Sequence, residues 1–196
     1  MIRKHTRATD SSSCTLALAL AIAWIVIGAV SLHAQQSSPT ENEVKSAYLY
    51  NFGKFVEWPA RGTAVGEFFT LCVLGDDNFG STLEATIAGE SINGKRALVK
   101  HVAKPQDGVS CRILFIGSSE QRRLKEILAV LDNTSVLTVS DMPQFTRRGG
   151  MIQFVMEANR VRFEVNLTSA ERTGLILSSQ LLRLAIDVKR NAQPGG

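Results

Sequence analysis

Phe145 to Arg190 reads FTRRGGMIQFVMEANRVRFEVNLTSAERTGLILSSQLLRLAIDVKR, and its periodicities decide the fold. Ile152, Phe154 and Met156 recur at period two, and Asn159 and Arg160 turn the chain. Val161, Phe163 and Val165 then alternate with Arg162, Glu164 and Asn166. That pattern predicts a β-hairpin with one buried face. Thr168 and Glu171 have capping-box spacing, which predicts a helix from about Ser169. Ala170, Gly174, Leu177, Leu181, Leu184 and Val188 follow at helical spacing, and Leu175, Ser178, Leu182 and Ala185 widen the stripe. The expectation is one long amphipathic helix lying on a sheet.

Upstream, strands alternate with helices. Thr40 and Glu43 form another capping box and open a helix to about Val56, with Val44, Ala47, Tyr48, Phe52 and Phe55 on its apolar side. Phe68 to Leu74 is a continuous apolar run that suits a strand buried on both faces. Asp76-Asp77-Asn78 caps a short helix to Ile87, Ile92 to Lys95 is a turn, and Ala97 to Val102 is a strand. A loop from Pro105 leads to a strand over Cys111 to Ile116. Ser118 and Gln121 are placed to cap a helix lined by Leu124, Ile127, Leu128 and Leu131, and Val136 to Val139 is a strand. This order predicts an α/β fold: a mostly parallel sheet of about six strands, helices on both faces, and an antiparallel hairpin at the edge.

The N-terminus reads differently. Arg3, Lys4, His5 and Arg7 precede an apolar run from Leu16 to Val30, and Ser31 to Ala34 offers a cleavage site, so residues 1–34 are expected to be a signal peptide. The run is short for a membrane span, which needs ~20 residues. Residues 35–190 are expected to form a single domain, followed by a disordered tail over 191–196. The whole chain carries 22 basic and 18 acidic residues; without Arg3, Lys4, Arg7 and Asp10 they become 19 and 17, a net charge of +2. A charge so near neutral gives no reason to expect a nucleic-acid partner. Cys72 and Cys111 are the two cysteines after the leader, and an even pair in an exported protein reads as a disulfide, with two buried free thiols as the alternative.

The residues give little to build catalysis on. His5 and His33 lie in the leader, which leaves His101 alone on a strand. A serine triad or a histidine-built zinc site needs more than that, so no catalytic group, metal or cofactor is assigned. Ligands of open α/β sheets bind beyond the carboxyl ends of the parallel strands. Those ends carry Asp76, Asn78, Ser118, Ser119 and Asp141, a candidate ligand crevice, although ordinary helix capping is the favoured reading of the serines. Arg147 and Arg148 ahead of the hairpin, and Ile176 on the polar side of the expected last helix, are the candidate partner contacts.

Val44-Lys45-Ser46-Ala47-Tyr48-Leu49-Tyr50-Asn51-Phe52-Gly53-Lys54-Phe55-Val56-Glu57-Trp58-Pro59 resembles the opening motif of the YfiR family of bacterial periplasmic proteins. Gly149-Gly150-Met151-Ile152, Val161 to Asn166 and Ser178 to Ala185 resemble its closing signature. The resemblance implies a periplasmic α/β sandwich that is not an enzyme. It further implies a homodimer that represses a membrane-bound diguanylate cyclase by binding its periplasmic domain, without inserting into the membrane itself. The alternative is a periplasmic small-ligand sensor or carrier. The family's best-known member carries two disulfides; Cys72 and Cys111 match one pair, and the other has no counterpart.

Overall fold

From Phe69 to Leu74 the buried side chains of the Phe68–Leu74 strand alternate between two cores, while Phe68 is exposed. In this computed structural model, which describes residues 38–59, 67–76 and 79–190, Leu71 and Val73 enter one cluster while Cys72 and Leu74 enter another. A strand buried on both faces explains why the run has no polar alternation. The expected signal peptide and C-terminal tail lie outside the described residues.

The strands are β1 (Val56–Glu57), β2 (Phe68–Leu74), β3 (Ser91–Ile92), β4 (Lys95–Val102), β5 (Ile113–Ile116), β6 (Leu137–Ser140), β7 (Ile152–Glu157), β8 (Arg160–Asn166), β9 (Ile176–Leu177) and β10 (Asp187–Lys189). The helices are α1 (Glu41–Phe55), α2 (Thr82–Ile87), α3 (Leu124–Leu131), α4 (Leu167–Arg172) and α5 (Ser179–Leu184). Eight strands form one sheet in the order β10-β8-β7-β6-β5-β2-β4-β3, and β1 pairs with β9 in a two-stranded antiparallel sheet. β2 lies parallel to β4 and β5, β5 to β6, and β6 to β7. The mostly parallel α/β sheet with helices on both faces is therefore as the alternation predicts, with eight strands rather than six.

α1 covers the first face. Thr40 and Glu43 make the expected reciprocal cap. Phe52 stacks on Phe154 at 5.9 Å between centroids and meets Phe163 edge-on at 5.1 Å. The buried side of α1 is Lys45, Ser46, Leu49, Phe52 and Gly53, so Ala47 turns out to be exposed and Leu49 carries the packing instead. On the second face, α3 buries Leu124, Ile127 and Leu131 against Leu114 and Ile116. Cys72 and Cys111 are joined, their Cα atoms 6.0 Å apart, an ordinary span for a disulfide.

The long C-terminal helix does not form. Asn166, the last residue of β8, caps α4 by accepting from the Ser169 N–H at 3.0 Å, so the helix starts earlier than the Thr168–Glu171 spacing suggests. α4 then stops after two turns. Gly174 takes φ +78°, its N–H donates to Glu171, and the Leu175 N–H reaches back to Ala170. This is the glycine-dependent Schellman stop, which a residue with a side chain reaches only under strain. The chain next pairs as β9, restarts as α5 under a Ser178 cap, and leaves as β10 parallel to β8. The hairpin is therefore not the edge of the sheet. Ala170, Leu177 and Leu181 satisfy a helical period while belonging to three separate elements, all packed into the first core.

Two further expectations change. α2 begins at Thr82 and Asp76 does not cap it, while Asp77 and Asn78 lie outside the described residues. Ser118 opens a 3-10 turn over Ser118–Arg122 without a side-chain cap bond, and α3 begins only at Leu124.

Candidate functional site

The carboxyl ends of β2, β5 and β6 meet at Asp76, Gly117 to Ser119 and Ser140 to Asp141. Gly117 passes so close to β2 that a Cβ there would sit 1.9 Å from the Asp76 carbonyl oxygen. The Asp76 N–H donates to Ser119 Oγ at 2.8 Å, and the Gly117 N–H to the Leu74 carbonyl at 2.8 Å. Ser140 Oγ, fully buried, donates to the Ile116 carbonyl at 2.7 Å and accepts from the Met142 N–H at 3.0 Å. These bonds hold the three strand ends together. Of the expected crevice residues, Asp76, Ser118 and Asp141 line one cavity, and Ser119 is tied to the Asp76 backbone.

Sequence reasoning missed the residue at the centre. Lys45 of α1 is only 6% exposed, and its ammonium lies 2.6 Å from Glu41 Oε1 and 2.8 Å from Asp141 Oδ2. Burial works against the charge, but the hydrogen bonds and charges of Asp141 and Glu41 outweigh it and hold the Lys45 pKa above the ordinary lysine value. Lys45 sits inside the motif that carries the family resemblance, so motif position was the available clue. The cavity beneath it, also lined by Asn42, Phe79 and Phe115, measures about 10 Å³. That is room for about one water, far below the ~300 Å³ of a small-molecule pocket. In this arrangement the Lys45 ion pair occupies the narrow space between Asp76, Ser118 and Asp141. Ser118 and Ser119 also line a wider, open cavity of about 690 Å³ with Gln121, Arg122, Gln144 and Arg148. No group of three or more potential metal ligands occurs among the described residues.

A second polar cluster organises the loop before the hairpin. Thr146 is buried: its N–H donates to Gln153 Oε1 at 3.3 Å, its hydroxyl to Glu164 Oε2 at 3.2 Å, and its carbonyl accepts from Asn166 Nδ2 at 2.8 Å. The Lys189 ammonium on β10 donates to Glu164 at 2.8 Å and to the Thr146 hydroxyl at 3.0 Å. Arg147 and Arg148 are both exposed, with separate surroundings. Arg147 lies within electrostatic range of Glu164, and Arg148 Nη2 donates to the Gln121 carbonyl at 3.0 Å. Gly149 takes φ +102°, whereas Gly150 is needed for space, since a Cβ there would lie 2.1 Å from the Phe145 ring. Ile176 is 61% exposed on β9, opposite Glu57, so it sits on a strand and not on a helix. His101 on β4 pairs with Glu84 at 2.9 Å.

Glu164 gives a pH prediction. Its hydrogen bond from Lys189 holds the carboxyl below the usual carboxylate range against partial burial, with help from the Lys189 charge, Thr146 and Arg147. A depressed folded pKa means that this stabilisation is complete above the ordinary carboxylate pKa and is lost as pH falls through the folded value. Lys189→Met should therefore lower stability at pH ~7 and narrow its difference from the parent chain as pH falls toward ~3. Urea midpoints at the two pH values measure this; an equal gap at both would contradict it.

Fold and site together define an α/β domain whose strand ends are joined by backbone and serine hydrogen bonds and tied to α1 by the Lys45–Asp141 ion pair. Residues 42–186 match the YfiR/HmsC-like family, DUF4154, and the chain belongs to it. Members of that family are periplasmic regulators acting in cyclic-di-GMP signalling, and they are non-catalytic. Among solved structures, the chain is similar to a conserved domain protein from Vibrio cholerae O1 biovar eltor, with a TM-score of 0.52 and 10% identity. That match covers 78% of this chain and 62% of that one, and it speaks to the fold alone. A second similar structure is an ABC domain in complex with L-Trp from Streptococcus pneumonia, at TM-score 0.46 and 11% identity, covering 65% of this chain and 57% of that one. Among the described residues no helix is long and apolar enough to cross a membrane.

Proposed function

We propose that this protein, exported by cleavage of residues 1–34, is a non-catalytic repressor that binds the periplasmic domain of a membrane-bound diguanylate cyclase and lowers cyclic-di-GMP output. The family match over residues 42–186 carries the reading. A repressor must bind the enzyme's off state more tightly than its on state, because equal affinity shifts nothing. Such a protein needs surface groups that the fold does not consume.

The surface supplies them. Ile176, Leu184, Ile186 and Val188 are four of the seven exposed large hydrophobics among the described residues, all within the C-terminal segment. β10, which carries Val188, leaves its outer edge open, and Arg147 approaches it through the Glu164–Lys189 pair. Exposed apolar side chains are available as contacts, and rim arginines set encounter rate and partner choice. A homodimer, as the resemblance implies, would draw on the same surface.

The structure separates the two arginines as probes. Arg147→Glu should weaken binding of the cyclase's periplasmic domain while changing stability by no more than about 0.5 kcal/mol. Arg148→Glu should cost about 1 kcal/mol of stability through the lost bond to Gln121. Binding should also fall as salt rises. Titrating the purified cyclase domain against both variants, beside their urea curves, measures all of this. Unchanged binding by Arg147→Glu would move the interface elsewhere.

A further inference from the structure

β7 is longer than its neighbour. β6 ends at Ser140, opposite Gln153, while β7 continues to Glu157. From Phe154 onward, β7 has β8 on one side and no strand on the other. The Asn166 N–H donates to the Met151 carbonyl at 2.7 Å, which fixes the alternation of the antiparallel ladder. Met151, Gln153, Val155 and Glu157 turn their backbone groups toward β8, and Phe154 and Met156 turn theirs the other way. Beyond the end of β6, this edge presents the Phe154 carbonyl followed by the N–H and carbonyl of Met156.

A groove of about 330 Å³ runs beside that edge, walled by Glu41 and Lys45 of α1 and by Asp141 and Pro143 after β6. Its charge is set by which groups reach solvent. The side chain of Lys45 is 8% exposed, against 47% for Glu41 and 27% for Asp141, so the two acidic side chains reach solvent more than the lysine they share. Asp76, on the adjoining cavity, adds a third negative group around the single ammonium. Met156 leaves 53% of its surface uncovered at the open end. Natural sheets usually blunt such edges with lysine, proline or a covering loop.

We infer that this groove takes an extended peptide segment of a partner protein, which adds as a strand to the open edge of β7 and sets a lysine or arginine side chain against Glu41 and Asp141. The run of carbonyl, N–H and carbonyl matches the bonding repeat of an added strand, which supplies affinity, while the acidic wall supplies selectivity. A free amine would use the carboxylates and leave the backbone groups unmatched. This inference is independent of the cyclase reading, since its surface is separate from β10 and Arg147.

The experiment titrates the ¹⁵N-labelled exported chain with three blocked hexapeptides. These are acetyl-Thr-Lys-Val-Thr-Val-Thr-amide, the same peptide with glutamate for lysine, and the lysine peptide N-methylated at alternate residues. With the lysine peptide, solvent exchange of the Met156 amide should slow at least tenfold at saturation. The glutamate and N-methylated peptides should each bind at least tenfold more weakly. Met156→Pro removes the edge donor but leaves the bonds of Val155 and Glu157 to β8, and it should weaken binding about fivefold, the loss of one hydrogen bond. If that variant fails to fold, the N-methylated pair decides. Equal binding of methylated and unmethylated peptides, equal binding of lysine and glutamate peptides, or no binding at millimolar peptide would overturn the inference. So would Met156 protection that depends on protein concentration alone, which would make the occupant a second copy of this chain.

Discussion

Replacing Cys72 and Cys111 together by alanine should lower the unfolding free energy by about 4 kcal/mol. The bond joins residues 39 apart in sequence, linking the middle of β2 to the segment that enters β5. Most of its effect falls on the unfolded chain, which loses loop entropy when the ends are tied; on that model a loop of ~40 residues is worth roughly 4 kcal/mol. The native side adds to this, because both sulfurs lie in the second core, at 0% and 2% exposure, beside Leu74 and Leu114. For a chain of this size the same loss appears as a fall of about 10 °C in melting temperature. Urea unfolding of periplasm-purified parent and variant measures it, with a non-reducing peptide map of the parent to show the pair joined. A difference under ~1 kcal/mol would mean that the bond does little for this fold.

Gly117→Ala should be nearly as costly, on the order of 3 kcal/mol, at the upper end of overpacking. The added carbon would fall 1.9 Å from the Asp76 carbonyl oxygen and 2.9 Å from its carbonyl carbon. A flexible side chain could swing away from such a contact. Main chain cannot, and here it is also held by the Gly117–Leu74 and Asp76–Ser119 bonds. The turn after β2 must therefore move, and Asp76 with it. The expected result is a lower urea midpoint together with shifted amide signals for Asp76 and Ser119. An unperturbed midpoint would show that the two strand ends are not packed this closely.

What was legible in the sequence was whatever local rules decide. The Thr40–Glu43 cap, the β2 strand and the β7–β8 pairing each follow from a few neighbouring residues. The turn nonetheless falls at Ala158–Asn159 rather than at Asn159–Arg160, and Phe68 and Met156 of the expected buried faces are exposed. The C-terminal segment misled because its apolar residues keep helical spacing while belonging to α4, β9 and α5 in turn. One glycine at φ +78° outweighs that period, and only β1, far away in sequence, explains why Ile176–Leu177 becomes a strand. Asp76, Ser118 and Asp141 could be grouped in advance because parallel strands bring their carboxyl ends together. Lys45 could not, since its burial depends on Asp141, 96 residues away. Likewise the sequence treats Arg147 and Arg148 alike, and only the fold gives them different neighbours, Glu164 and Gln121.

On the proposed function, the exported protein restrains a membrane cyclase from the periplasmic side. Cellular cyclic-di-GMP, measured in a strain lacking the gene and in the same strain supplied with the chain with or without residues 1–34, tests it most directly. Deletion should raise the nucleotide level, the chain that carries its leader should restore it, and the leaderless chain should not. An unchanged nucleotide level on deletion, or equal rescue by the leaderless chain, would contradict it.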